Sequence, residues 1–255
     1  MMNQDLNAVP SASTRQKVAR LGFWIAILTA VSAAAALGIA VTTAPARSGP
    51  NCPLLVEMGA VESCVGYPYT DVAAFVPVEY IWMVPAFLLV LLFVGLVICV
   101  HHLTTDDKKV FGHFALSFAV ISAAVHSMNY FIQLAVVQPS LLKGELESLV
   151  LFSQYNPHGI FIALEDLGYW MMGLAFLFVA FEIAGHNKLE KSIRFILITG
   201  SILAIGGLIL FALVYGSDLE YMYEVFSIMV DWITLIVSGI LLSLFFRRVL
   251  CVTEA

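Results

Sequence analysis

Six stretches of the chain, residues 21–43, 78–101, 111–137, 159–184, 193–215 and 223–246, are each long and apolar enough to cross a lipid bilayer. A spanning helix needs roughly 20 mostly apolar residues, and every stretch meets that length. The balance of the chain agrees: 61% of its residues are hydrophobic and 12% charged, against about 45–50% and about 25% in soluble domains. The expected fold is therefore all-α, a polytopic membrane protein built as a six-helix transmembrane bundle over residues 21–246. The longest connection, residues 44–77, holds 34 residues and leaves little chain for a separate soluble domain. Residues 1–20 are polar and read as a flexible cytoplasmic tail, and residues 247–255 as a cytoplasmic tail.

Orientation follows from the basic residues. With a cytoplasmic N-terminus, the inner side carries Arg15, Lys17, Arg20, Lys108, Lys109, Lys188, Lys191, Arg194, Arg247 and Arg248, and the outer side only Arg47 and Lys143. Ten against two selects N-in and C-in under the positive-inside rule, in a plasma or bacterial inner membrane. The outer side then holds nine acids: Glu57, Glu62, Asp71, Glu79, Glu145, Glu147, Asp218, Glu220 and Glu224. An acidic outer face gathers cations and repels anions. No basic stripe interleaved with aromatics exists, so nucleic acid is not an expected partner.

Cys52 and Cys64 share the first outer loop, where an oxidising compartment favours a disulfide between them. Cys99 and Cys251 fall at the inner boundary, and no CxxC motif points to zinc. The basic start, the apolar run and Ala44-Pro45-Ala46 imitate a cleavable leader. The run is longer than the usual 7–15 residues of such leaders, so it is read as a helix.

The first stretch has small residues in rows, Ser32, Ala36 and Ala40 on one and Ala34 and Gly38 on another. The fifth has Gly200, Ala204, Gly206 and Gly207. Small residues at this spacing let helices approach closely in a bilayer, within the chain or between copies of it in a homo-oligomer. In the connection 138–157, Leu142, Leu146, Leu149 and Val150 recur at helical spacing, with Lys143, Glu145 and Glu147 off that row. This predicts an amphipathic helix on the outer surface, a candidate lid. Asn156-Pro157 then suits the N-cap and first position of the fourth spanning helix.

Three stretches carry polar residues at apolar depth, in each case on one face. They are Ser122, His126, Asn129 and Gln133 with Tyr130 alongside; Glu165 and Tyr169 with Asp166 about 100° round; and Ser227, Asp231, Thr234 and Ser238. At about 1.5 Å rise per residue, His126, Asp166 and Asp231 reach similar levels in the outer half of the bilayer. An acid at the centre of a spanning helix costs about 2.5–3.5 kcal/mol. Three unpaired acids would cost on the order of 8–10 kcal/mol, comparable to a folding free energy of about 5–15 kcal/mol. They must be protonated, hydrogen-bonded, hydrated or matched by a cation, and His126 is the only basic side chain at depth.

The candidate ligand- or ion-binding residues are thus His126, Asn129, Tyr130, Gln133, Glu165, Asp166, Tyr169 and Asp231. Glu165 and Asp166 are both expected to be sheltered, with at least one against the His126 stripe. His101, His102 and His113 with Asp106 and Asp107 read as interfacial side chains rather than a metal site.

The motifs HExxH, DxxD and GxSxG are absent, so no catalytic residues, cofactor or metal are assigned. The expected function is binding or translocation of a small ligand, cation or proton through an outward polar pocket between the third, fourth and sixth helices. The alternative is an intramembrane enzyme acting on a lipid-like substrate by acid/base or metal-assisted chemistry. A third reading is a non-catalytic binding or assembly subunit. Expected partners are the bilayer and a small-molecule, lipid or cation ligand.

Overall fold

The computed structural model describes residues 12–43, 46–59, 63–219 and 221–254. Residues 1–11 of the expected tail, the Ala44-Pro45 pair, Glu62 and Glu220 lie outside them. Among the described residues the fold is all-α, with one two-residue strand pair in its loops, and six of the helices are long and apolar enough to cross a membrane.

In chain order these are α1 (Ala12–Thr43), α3 (Met83–Leu103), α4 (Lys109–Ile132), α6 (Ile160–Glu182), α7 (Lys188–Tyr215) and α8 (Met222–Glu254), with short helices α2 (Cys52–Glu57) and α5 (Gln138–Lys143) between them. Both expected tails are partly helical: residues 12–20 open α1, and α8 runs on to Glu254. Pro85 falls in the first turn of α3, where its missing N–H breaks no helical bond.

Small residues set the tightest contacts. A Cβ on Gly239 of α8 would stand 2.8 Å from the Ala26 carbonyl of α1, with Ala30 beside it. Ser32 and Ala36 are buried with Ala26 and Ala33, whereas Ala34 and Gly38 stay exposed. Gly200 and Gly207 of α7 lie against Thr234 and Phe226 of α8. Around these contacts α6 packs on α4, α7 and α8, so two of its faces are covered.

The connections gather at two ends of the bundle. At the first, Arg47–Ser48 (β1) pairs in parallel with Cys64–Val65 (β2), and Cys52 bonds Cys64 across a Cα separation of 5.9 Å. Ser48 donates to the Tyr155 carbonyl. Ser153 donates to the Tyr69 carbonyl at 2.8 Å, and Asn51 to the Asp218 carbonyl at 3.2 Å. Three loops are thereby tied together at this disulfide end. At the opposite end Lys108 Nζ donates to the Ile183 carbonyl at 3.2 Å. There α7 begins with a reciprocal cap, in which Asn187 Oδ1 accepts from Glu190 N while Glu190 Oε2 accepts from His186 N.

The connection 138–157 differs from the expected single amphipathic helix. A π-helical turn, Gln133–Val137, carries α4 directly into α5, and Gly144 ends α5 at φ 73°. Pro139 stands in the first turn of α5, and without an N–H it could not continue the α4 ladder. A separate 3-10 turn, Leu149–Leu151, buries Leu149 while Leu142 and Leu146 are exposed. The helical leucine spacing therefore spans two unlike elements. Asn156 also does not cap α6. Its Oδ1 accepts from His158 N at 3.0 Å in a turn of its own, and Gly159 is the N-cap.

Candidate functional site

Three polar residues, on α4 and on the π-helical turn that extends it, are committed to backbone carbonyls of α6 and of the loop before it. Ser122 Oγ donates to the Gly168 carbonyl at 2.8 Å, Asn129 Nδ2 to the Phe161 carbonyl at 3.0 Å, and Gln133 Nε2 to the Phe152 carbonyl at 2.7 Å. Such bonds use the second lone pair of carbonyls on α6 and the loop before it. His126 sits at the centre of this seam. Its Nδ1 donates to the Ser122 carbonyl at 3.0 Å, and its ring lies 4.4 Å from that of Tyr169 and 5.6 Å from that of Tyr130. Among the described residues its hydrogen bonds reach no carboxylate, and Nε2 is buried without a partner. The ring is turned into the α4–α6 seam.

The carboxylates are uncommitted. Among the described residues, both oxygens of Glu165 and both of Asp231 are buried and complete no hydrogen bond, and the same holds for Asp166 Oδ1 and Glu224 Oε2. Glu165 lies within electrostatic reach of Glu224, Asp166 and Tyr130, so it adjoins the α4 stripe through Tyr130. Asp166 is half-buried and faces Glu224. Asp231 stands near Tyr169 and Tyr223. Tyr130 and Tyr169 join their hydroxyls at 3.0 Å, and Tyr223 donates to the Ala204 carbonyl at 2.8 Å. The result is a carboxylate and tyrosine cluster contributed by α4, α6 and α8. Its fourth acid, Glu224, reads in the sequence as an outer surface residue but is buried.

Two further buried acids escape the sequence reading. Glu79 Oε2 accepts from Ala46 N at 2.8 Å and from Tyr155 Oη at 2.9 Å. Burial, with Tyr80 and the Glu79 carboxylate alongside, pushes the Tyr155 hydroxyl far above the ordinary phenol range, so it remains a donor. At the opposite end His101 Nδ1 meets Glu182 Oε1 at 2.9 Å. His101 is thus tied to an acid on another helix. Asp106 pairs instead with Lys109 at 2.6 Å. Among the described residues no three His, Cys, Asp or Glu side chains converge as a metal ion requires.

A pocket of about 400 Å3 opens at the disulfide end between α1, the start of α3, α6 and α8. Its walls are mainly apolar, with Leu37, Val41, Phe161, Val225 and Ile228 among them, and Arg47 and Glu224 are its charged residues. None of the eight candidate residues lines it. It meets the cluster through two residues: Glu224, which faces Glu165, and Trp82, whose ring lies 5.6 Å from that of Tyr130. An apolar pocket thus lies beside a buried acidic cluster. Comparison with known proteins finds no matching family model, no matching curated protein and no matching solved structure.

Proposed function

We propose that this chain is a multi-pass protein of a plasma or bacterial inner membrane, with both termini cytoplasmic, that binds or translocates a small ligand together with a cation or proton. The observation that carries the reading is that Glu165, Asp166 and Glu224 lie within electrostatic reach of one another, with Asp231 beside the adjoining Tyr169, and that among the described residues none of the four is ion-paired with a lysine, arginine or histidine. Carboxylates brought together in a low-dielectric interior hold a proton or a cation between them, since several bare charges there would cost several kcal/mol each. Intramembrane acids mark ion and substrate paths for that reason. Glu224 belongs to both the cluster and the pocket, so a ligand in the pocket alters the charge that the cluster experiences. The acidic residues of the disulfide-end loops favour cations there.

The direct test is infrared spectroscopy of the protein in lipid nanodiscs at neutral pH. A protonated-carboxyl C=O band is expected, diminished in Glu165→Gln and again in Asp231→Asn. Its absence in the parent protein, with no spectral response to added cations, would refute the reading.

A second reading, an intramembrane enzyme acting on a lipid-like substrate, draws support from the apolar walls beside Glu224. Catalytic turnover of a lipid that stops in Glu224→Gln would put this reading in place of the first.

A further inference from the structure

The pocket changes character with depth. Its rim is built by loop residues, Arg47, Gln154, Tyr155 and Tyr221, and its lower wall by Leu37 of α1 with Ile228 and Met229 of α8. From Met222 to Met229 α8 rises about 10 Å, and both residues line the pocket. Below it α1 and α8 close to contact where Gly239 meets Ala26 and Ala30. Val41 and Met229, two of its wall residues, are exposed. A volume of about 400 Å3 falls within the roughly 300–1,000 Å3 of small-molecule sites.

Among the described residues, Glu224 Oε2 and Trp82 Nε1 at this pocket are buried without a hydrogen-bond partner, on side chains 5% and 3% exposed. Trp82, Tyr155, Phe161 and Tyr221 add four aromatic rings to the walls. A carboxylate among aromatic faces is the chemistry that holds an organic ammonium. The rim carries the opposite charge. The Arg47 guanidinium lies 4.9 Å from the Tyr221 ring centroid, and arginine on an aromatic face presents its planar fork to phosphate or carboxylate.

We propose that this pocket binds a single-chain zwitterionic amphiphile, its ammonium at Glu224, its anionic group at Arg47 and its tail between α1 and α8. The proposal rests on the reading that Glu224 links the pocket to the acidic cluster, and it supplies the class of ligand. A neutral amphiphile would leave the buried Glu224 carboxylate without a partner, at a cost in desolvation, and would give the Arg47 fork nothing beyond the Tyr221 ring and the Glu79 charge. A purely anionic head would meet Glu224, and a purely cationic one would meet Arg47. The closed floor limits the length of tail, and one chain fills the space between two helices that touch below it.

Native mass spectrometry of the full chain in a nonionic glycoside detergent tests this with four probes of equal tail length. They are a lysophosphatidylcholine, an alkyltrimethylammonium, a lysophosphatidylglycerol and a monoacylglycerol. One lysophosphatidylcholine per chain is expected, at least tenfold tighter than the other three. Glu224→Gln and Arg47→Gln should each weaken it at least tenfold, and Ile228→Trp, which fills the tail channel, should abolish it. Unchanged thermal midpoints for these variants would show that they fold. Equal or tighter binding of any other probe, or full binding in both charge variants, overturns the proposal. Failure here is separable from failure of the preceding reading. A parent protein that keeps its carboxyl band but binds no lysophosphatidylcholine sinks only this inference. Zwitterion binding with no protonated carboxyl and no cation response sinks only the earlier one.

Discussion

At Gly168 a methyl group would stand 2.4 Å from His126 Cε1, so this glycine is required by the ring packed on it rather than by backbone shape. Gly168→Ala must push the His126 ring out of the α4–α6 seam, and overpacking of this kind costs about 1–3 kcal/mol. A lowered thermal midpoint is the expected measurement. Near the disulfide end, Tyr155→Phe removes one of the two hydrogen bonds that reach Glu79 Oε2. A bond to a charged group contributes about 1.5–3 kcal/mol. Denaturant unfolding should show a loss of that order, partly restored in the Glu79→Gln, Tyr155→Phe pair because no carboxylate is then left short of a donor. The residues legible in the sequence were those whose depth could be counted. Glu165, Asp166 and Asp231 lie well inside apolar runs and read at once as buried acids. Glu79, Glu182 and Glu224 stand at the edges of spans, where a count along the chain gives no burial. Only the loops folded over Glu79, the packing of α8 on α6 at Glu224 and the partner helix at Glu182 exclude solvent from them.

At the scale of the element, the periodic polar row on α4 was legible as a row, but not what it faces. A side chain lining a cavity and one bonded to a neighbouring carbonyl recur at the same interval. The structure divides them: Ser122, Asn129 and Gln133 bond backbone carbonyls, while Tyr130 turns to Tyr169 and Glu165. Asn129→Leu should therefore cost about 0.6–1.7 kcal/mol of stability, the range for hydrogen bonds between membrane helices, and leave ligand binding at Glu224 unchanged. Glu224→Gln should do the reverse. Measuring unfolding and binding on both variants separates a seam from a site, and reduced binding in Asn129→Leu at full stability would contradict the division. The row of leucines across residues 138–157 misled for a related reason. Periodicity carries through a π turn, a glycine stop and a 3-10 turn as readily as through one helix, because the spacing of apolar residues does not record a break in the ladder.

For the whole molecule, the apolar stretches located all six long helices, since nothing else satisfies so many backbone groups in hydrocarbon. The loop assembly that covers the bundle was legible only through its cysteines, because hydrogen bonds such as Ser153 to Tyr69 and Asn51 to Asp218 join residues with no shared pattern. That assembly makes orientation testable. Cys52 and Cys64 are joined and Cys99 is buried, which leaves Cys251 as an exposed free thiol at the end opposite the disulfide. Leu142 is exposed on α5, at the disulfide end. With both termini cytoplasmic, a membrane-impermeant thiol reagent applied to intact cells should label Leu142→Cys and leave Cys251 unlabelled until the membrane is opened. The ten-to-two split of basic residues motivates this outcome, and so does the disulfide, which persists on the oxidising side of a membrane. The two arguments are independent, one resting on insertion and the other on redox chemistry. Labelling of Cys251 in intact cells with Leu142→Cys protected would reverse the orientation. The pocket and its acidic cluster would then open to the cytoplasm, and the disulfide would have to survive in a reducing compartment.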